Sequence, residues 1–445
     1  MSSLFQENRK TLALALPLIA GQLSQMLLGL TDTLMIGRVG TVDLAAAAFA
    51  NALIYLPLSI TFGLAIAVSI QVAHHFGSGQ RALAGESLRH GLFISILLAL
   101  FLGALVCLSI PFLGYLDPPE AVLALVPPYL YWVAISFLAM VPTMVVKSFA
   151  EAQSEPWMVL WIQLGGVVLN VFLNVIFIFG HLGVPPMGLT GAGIATCLSR
   201  FATVAALWYY LVKSRRLKVS LPKAWLKRLE RAECWTLTKM TCPISGQLLI
   251  EIGAFTMGAF LIGQFGAVPL AAHQIAVTCA SMTFMLPLGV AMAVTIRVGH
   301  AVSADEPLRC RRIVAGAQIM GMLIMLACAL SYIFFGGLIA RGFTLDVDVV
   351  ALTASILMIV AIFQLFDGIQ VISSAALRGM RDVNFPTFIL FVCFWLVAVP
   401  MGAALGFVGE YGALGVWTGL AIGLGLAAVA LSLRLWFKLN KVLDH

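Results

Sequence analysis

Charge is what this chain has least of. Only 10% of its 445 residues are Asp, Glu, Lys or Arg, against about 25% in soluble domains. With a mean hydropathy of +1.03, that shortage excludes an ordinary water-soluble fold. Signatures of intramembrane catalysis are missing as well. No HExxH, GxSxG or DxxD-like pair falls within an apolar stretch, and no GxxxxGK[ST] occurs anywhere. These absences argue against an enzyme and against an ATP-driven pump. The eight cysteines (107, 197, 234, 242, 279, 310, 328, 393) have no CxxC or metal spacing, so they read as free core thiols. The formal charge of +7 does not point to nucleic acid, because the Lys and Arg sit in short loops where they set topology.

Long apolar runs are present throughout. Twelve spans can be placed, near 11–36, 47–73, 91–113, 124–146, 157–180, 188–212, 236–262, 268–298, 313–340, 349–377, 385–408 and 412–437. Their length and lack of alternating polarity predict membrane helices and not barrel strands. The first run is too long for a signal-peptide core and no small-residue cleavage site follows it, so it reads as a retained span. The longest gap, residues 213–235, separates six spans from six. It carries Lys213, Arg215, Arg216, Lys218, Lys223, Lys227, Arg228 and Arg231. With the N-terminus inside, 22 of the 26 Lys and Arg fall on the inner side. Arg38 and Arg341 fall outside, while Arg200 and Lys239 stand near span ends. That bias puts both termini in the cytoplasm. His74, His75, His90 and His300 lie at the inner ends of spans and read as solvated or structural.

One stretch occurs twice. Ile36–Ala46 (IGRVGTVDLAA) returns 226 positions later as Ile262–Ala272 (IGQFGAVPLAA), with seven of eleven residues identical. The same offset lays Gly63–His75 over Gly289–Ala301 with seven more identities, and Pro17 over Pro243. This is an internal duplication. Six spans being an even number, both copies enter the membrane in the same direction. The expected fold is therefore all-α and polytopic. Its twelve helices form two pseudo-symmetric six-helix lobes, a parallel repeat of 1–212 and 236–445 joined by the basic segment 213–235. Transporters built from parallel repeats place their site between the halves. The repeat itself, rich in Gly and Ala, reads as scaffold for the turn between the first two helices of each lobe.

Three acids sit well inside spans: Asp32, Glu251 and Asp367. Such a charge costs at least ~2.5–3.5 kcal/mol at the bilayer centre, and it normally faces water or a partner. Helical spacing groups polar residues around each one. Gln25 is seven before Asp32, Gln247 is four before Glu251, and Gln364 and Gln370 flank Asp367 by three. In the fifth span Gln163, Asn170 and Asn174 form a single polar stripe. Interhelical hydrogen bonding alone would account for an Asn pair. Asp32 beside two Asn carbonyls would equally suit Na⁺, a hard cation that favours oxygen ligands. A desolvated carboxylate also holds a proton more readily than one in water. Ion and cationic substrate could then compete for the same acid and cross in opposite directions.

With these acids, and with LRGMRDVNFP (Leu377–Pro386) after the tenth span, the whole chain resembles the multidrug and toxic compound extrusion (MATE) transporters, most closely their NorM-like branch. The resemblance implies a non-enzymatic antiporter of a bacterial inner membrane, surrounded by lipid and acting as a monomer. It would need no cofactor and would export small organic cations or amphipathic drugs against Na⁺ or H⁺. It implies C-lobe acids at Glu251 and Asp367, and an N-lobe cation site at Asp32, Asn170 and Asn174, with Thr196 a further candidate. Asn174 stands where the family often has Asp, and Phe363 where a Na⁺-coupled relative has Tyr. Candidate cavity residues are Gln25, Gln247, Phe255, Met257, Phe284, Met285, Phe363, Gln364 and Gln370, since Met and Phe offer adaptable, polarizable surface. A flippase for lipid-linked precursors, from the same superfamily, is the alternative. Such a protein should carry a basic cavity, whereas the mid-membrane charges here are acidic.

Overall fold

Lipid offers the backbone no hydrogen bonds, so an apolar chain of this length must satisfy its own. The computed structural model does so with helices throughout. It describes residues 3–116, 119–222, 224, 225 and 227–443; Lys223 lies outside them. The first six long helices are α1 (Leu4–Gly37), α2 (Thr41–Gly77), α3 (Arg81–Ser109), α4 (Glu120–Ala152), α5 (Pro156–Phe179) and α6 (Gly188–Lys213). After the single turn α7 (Arg215–Lys218) come α8 (Arg231–Gly263), α9 (Ala267–Ser303), α10 (Pro307–Arg341) and α11 (Val347–Gly379). The eleventh span is composite. It runs from α12 (Asn384–Phe391) through a π-wound stretch, α13 (Val399–Ala403) and a second π-wound stretch that ends at Val408. The helix α14 (Gly412–Leu443) closes the chain. Among the described residues, twelve helices are long and apolar enough to cross a membrane.

Most of these helices extend several residues past the predicted spans, since polar ends continue the helix into the headgroup region. Helix interiors carry Pro17, Pro57, Pro142, Pro243 and Pro287 without interruption of the helix, while Pro156 and Pro307 open α5 and α10, where no amide donor is needed. The duplicated stretch forms the turn from α1 to α2 and its counterpart from α8 to α9. Val39 N–H donates to Ile36 O (2.9 Å) and Phe265 N–H to Ile262 O (3.0 Å). The second copy needs its glycine, because Gly266 has φ +111°.

By packing, the chain forms two compact units: residues 20–245, and residues 1–19 with 246–445. Each has the same helix neighbours. In the first, α2 and α3 pack on each other and both on α4, α4 on α6, and α5 on α6. In the second, α9 and α10 pack on each other and both on α11, α11 on α14, and α13 with its π turns on α14. The unit boundaries fall inside α1 and α8, near Pro17 and Pro243, and not in the basic segment 213–235. The repeat offset is kept in the contacts that produce this exchange. In one unit Arg297 on α9 pairs with Glu7 on α1. In the other Gln71 on α2 donates to Glu233 on α8 (3.3 Å). Likewise, a Cβ on Gly289 would meet the backbone of Ile19 at 2.8 Å, and one on Gly63 the backbone of Ser245 at 2.9 Å. All four residue pairs (7/233, 297/71, 289/63, 19/245) are 226 apart.

Small residues let helices close in where no hydrophobic effect drives them together. One close approach is on α14, where a Cβ on Gly419 would lie 2.3 Å from Gly402 backbone atoms and 2.9 Å from Ala398 O. Gly419→Ala should therefore cost about 1–3 kcal/mol through overpacking. Thermal unfolding in detergent checks this, with Gly29→Ala as the control, since nothing lies within 4 Å of its Cβ position. Equal melting of the two variants would contradict the argument.

Candidate functional site

In the unit 20–245, α1, α5 and α6 converge on a polar chain. Asn170 and Asn174 lie four apart on one face of α5 and are both fully buried. Asn174 Nδ2 donates to Asp32 Oδ1 (2.6 Å) and to Asn170 Oδ1 (3.0 Å). Asn170 Nδ2 donates in turn to Thr196 Oγ1 (3.3 Å) and Ser199 Oγ (3.4 Å) on α6. Asp32 is half-buried. The amide oxygen of Asn174 is buried and receives no donor. A carboxylate oxygen and two amide oxygens, one of them unpaired, have the donor chemistry a hard monovalent cation requires. Gln163 is buried on the same helix, whereas Gln25 is exposed.

One residue of this unit was misplaced from the sequence. Arg200 does not stand near a span end but at the middle of α6, half-buried. It donates to Ser136 Oγ on α4 (2.6 Å) and interacts electrostatically with Asp32 and with Tyr129. The legible signal was its position four after Thr196, on the same face of α6. Lys239 is exposed near the start of α8.

In the other unit, α8 and α11 face each other with matched polar spacing. Glu251 accepts from Gln370 Nε2 (2.9 Å). One turn earlier on α8, Gln247 is a clasp. It donates to Val383 O (3.2 Å) and Thr387 Oγ1 (3.0 Å) and accepts from Ser374 Oγ and Arg378 Nη1, both at 3.3 Å. Asp367 is buried and feels the charge of Glu251, which in turn feels that of Arg378. The α11 stripe 363, 367, 370, 374, 378 thus carries one acid, one cation and the amide that holds Glu251.

The expected lining residues divide. Phe255 and Phe363 stack edge-on with each other (5.8 Å) and with Trp417 (6.2 and 6.1 Å), so they pack the unit beside the two acids. Gln364, fully buried, donates to Thr283 Oγ1 (2.5 Å), and Thr283 also accepts from Tyr332 (3.0 Å). Gln247, Gln364 and Phe363 therefore hold helices together, while Met257, Phe284 and Met285 stay partly accessible. Sequence spacing could not separate the two roles, because a stripe residue looks the same whether its partner is a helix or a ligand.

Comparison with known proteins agrees with this layout. The MatE family profile matches residues 17–176 and 243–404, one block in each copy of the repeat. The chain is similar to the "Probable multidrug resistance protein NorM" of Bradyrhizobium diazoefficiens, 34% identical over 97% of this chain and 93% of that protein. It is also similar to the "Multidrug resistance protein NorM" of Photobacterium profundum, 30% identical over 97% and 95%. Among solved structures, the Vibrio cholerae MATE transporter VcmN in its bent form superposes with a TM-score of 0.90. That match has 22% identity and covers 99% of both chains. The duplicated architecture, the membrane acids and these full-length matches lead to one conclusion: the chain belongs to the MatE family of multidrug and toxic compound extrusion transporters, in its NorM-like branch.

Proposed function

We propose that this protein is a cation-coupled antiporter that exports cationic or amphipathic organic compounds by alternating access, driven by Na⁺ or H⁺. The observation that carries the reading is the pairing of membrane-depth carboxylates with oxygen and amide partners, Asp32 with Asn174 and Asn170, and Glu251 with Gln370 near Asp367. The names of the NorM relatives support drug export as the direction of use. The second site sets two acids against one cation, Arg378, and so suits H⁺ or an organic cation, since one negative charge stays uncompensated. At the first site, Arg200 supplies a counter-charge beside a single acid, so an incoming cation must compete with a resident one.

Uptake into proteoliposomes tests the proposal. Everted orientation, a fluorescent organic cation and an imposed Na⁺ or pH gradient should give accumulation that collapses when the gradient is dissipated. Transport that neither gradient drives would reject coupled antiport.

A further inference from the structure

We propose that the segment between α6 and α8 holds the headgroup of an anionic phospholipid, in a pocket of about 450 Å³ lined by Lys227, Arg228, Leu229, Glu230 and Arg231. This site is separate from the membrane acids and does not rest on the transport reading.

The segment is seated on unit 20–245 by buried groups. Leu217 and Ser220 are buried, and the chain crosses α3 at Gly85, where a Cβ would lie 2.1 Å from Ser220 O. Arg89, 3% exposed, donates to Lys227 O and is held by Glu86 (2.9 Å). His90, 1% exposed, accepts from Glu230 N–H (3.1 Å) while its other ring nitrogen meets Glu86 O (2.7 Å). The backbone is thus pinned on both sides of residues 228 and 229. The side chains of Lys227, Arg228 and Arg231 remain exposed. Three cations face one acid, Glu230, whose contact with Lys227 is exposed and 3.7 Å long. Exposed Lys213, Arg215 and Lys218 reinforce the sign.

Charge alone would accept any anion; aromatic residues in the same segment and at the adjoining helix ends point to a lipid. Trp208 and Trp225 lie 5.2 Å apart at ring centroids, Lys213 sits over the ring of Tyr209, and Trp235 and Val219 are largely exposed. Indole and phenol rings concentrate at the membrane–water boundary, where an apolar body and a polar edge are both satisfied. Lys and Arg at that depth attract anionic headgroups. Exposed tryptophan and valine in the segment that carries a fixed cationic pocket therefore fit the headgroup layer better than bulk water.

Native mass spectrometry of the full chain from mixed phosphatidylcholine and phosphatidylglycerol nanodiscs tests the assignment. Retained phosphatidylglycerol should exceed phosphatidylcholine. That preference should fall by roughly fivefold for each cation removed in Lys227→Gln, Arg228→Gln and Arg231→Gln. Inorganic phosphate should not displace the lipid. Independently of any variant, a photoactivatable phosphatidylglycerol should crosslink wild-type protein within 213–235. Equal retention of both lipids, displacement by inorganic phosphate, or crosslinks confined to other segments would each overturn the proposal.

Discussion

Arg297→Leu is expected to lose about 3–5 kcal/mol of stability, the cost of leaving a buried charge without its partner. Glu7 is 0% exposed. Arg297 reaches both its carboxylate and its backbone carbonyl, and also Thr11. Arg309 and Lys10 also pair with Glu7, each at 3.6 Å, so part of the charge stays countered and the loss should fall toward the lower end of that range. The measurement is the apparent midpoint of heat-induced loss of monodisperse protein in detergent. Glu7→Leu combined with Arg297→Leu should recover most of the loss, because removing both partners leaves no orphan charge. The symmetry-related Gln71→Leu should cost less, since half-buried Glu233 stays within reach of water. An Arg297→Leu protein that melts like wild type would show that the pair contributes nothing.

Asp367→Asn and Asp32→Asn should each reduce gradient-driven uptake without loss of folded protein. A coupling free energy between ion and substrate is typically worth roughly 5–150-fold. On the proposed antiport mechanism, losing an acid for which ion and substrate compete should lower the driven accumulation ratio by that order. Asp367 is the larger case, because it is buried beside Glu251 and an amide there would keep shape while losing the titratable charge. Asp32→Asn also tests the Asn174 bond, since Asn can still accept from Nδ2. Comparing Na⁺-driven with pH-driven uptake in each variant assigns the ion to the site. Full flux in both variants under both gradients would make the acids structural.

The polar spacing on single helices was readable in advance. Asn170 and Asn174 share a face because they are four apart, and Gln370 and Ser374 follow Asp367 on one stripe for the same reason. Thr196 was harder to place, since the connection before it is irregular: Gly180 and Gly188 both take positive φ, and Leu189 N–H caps onto Asp43 (3.0 Å). Arg200 reads as standing near a span end, whereas it lies at the middle of α6, where its neighbours come from other helices. His90 read as solvated or structural, and it is buried with both ring nitrogens engaged.

By itself the sequence determined the twelve spans, the duplication and the identity of the acids. Apolar length, charge content and repeat offset are properties of the chain taken in order, and lipid turns each long apolar run into a helix. Which groups meet was decided only by the tertiary structure. Asn174 finds Asp32 across 142 positions, Gln370 finds Glu251 across 119 and Arg297 finds Glu7 across 290. No local preference encodes such pairings. They follow from which helices pack together, and the placing of the first halves of α1 and α8 follows from the same packing.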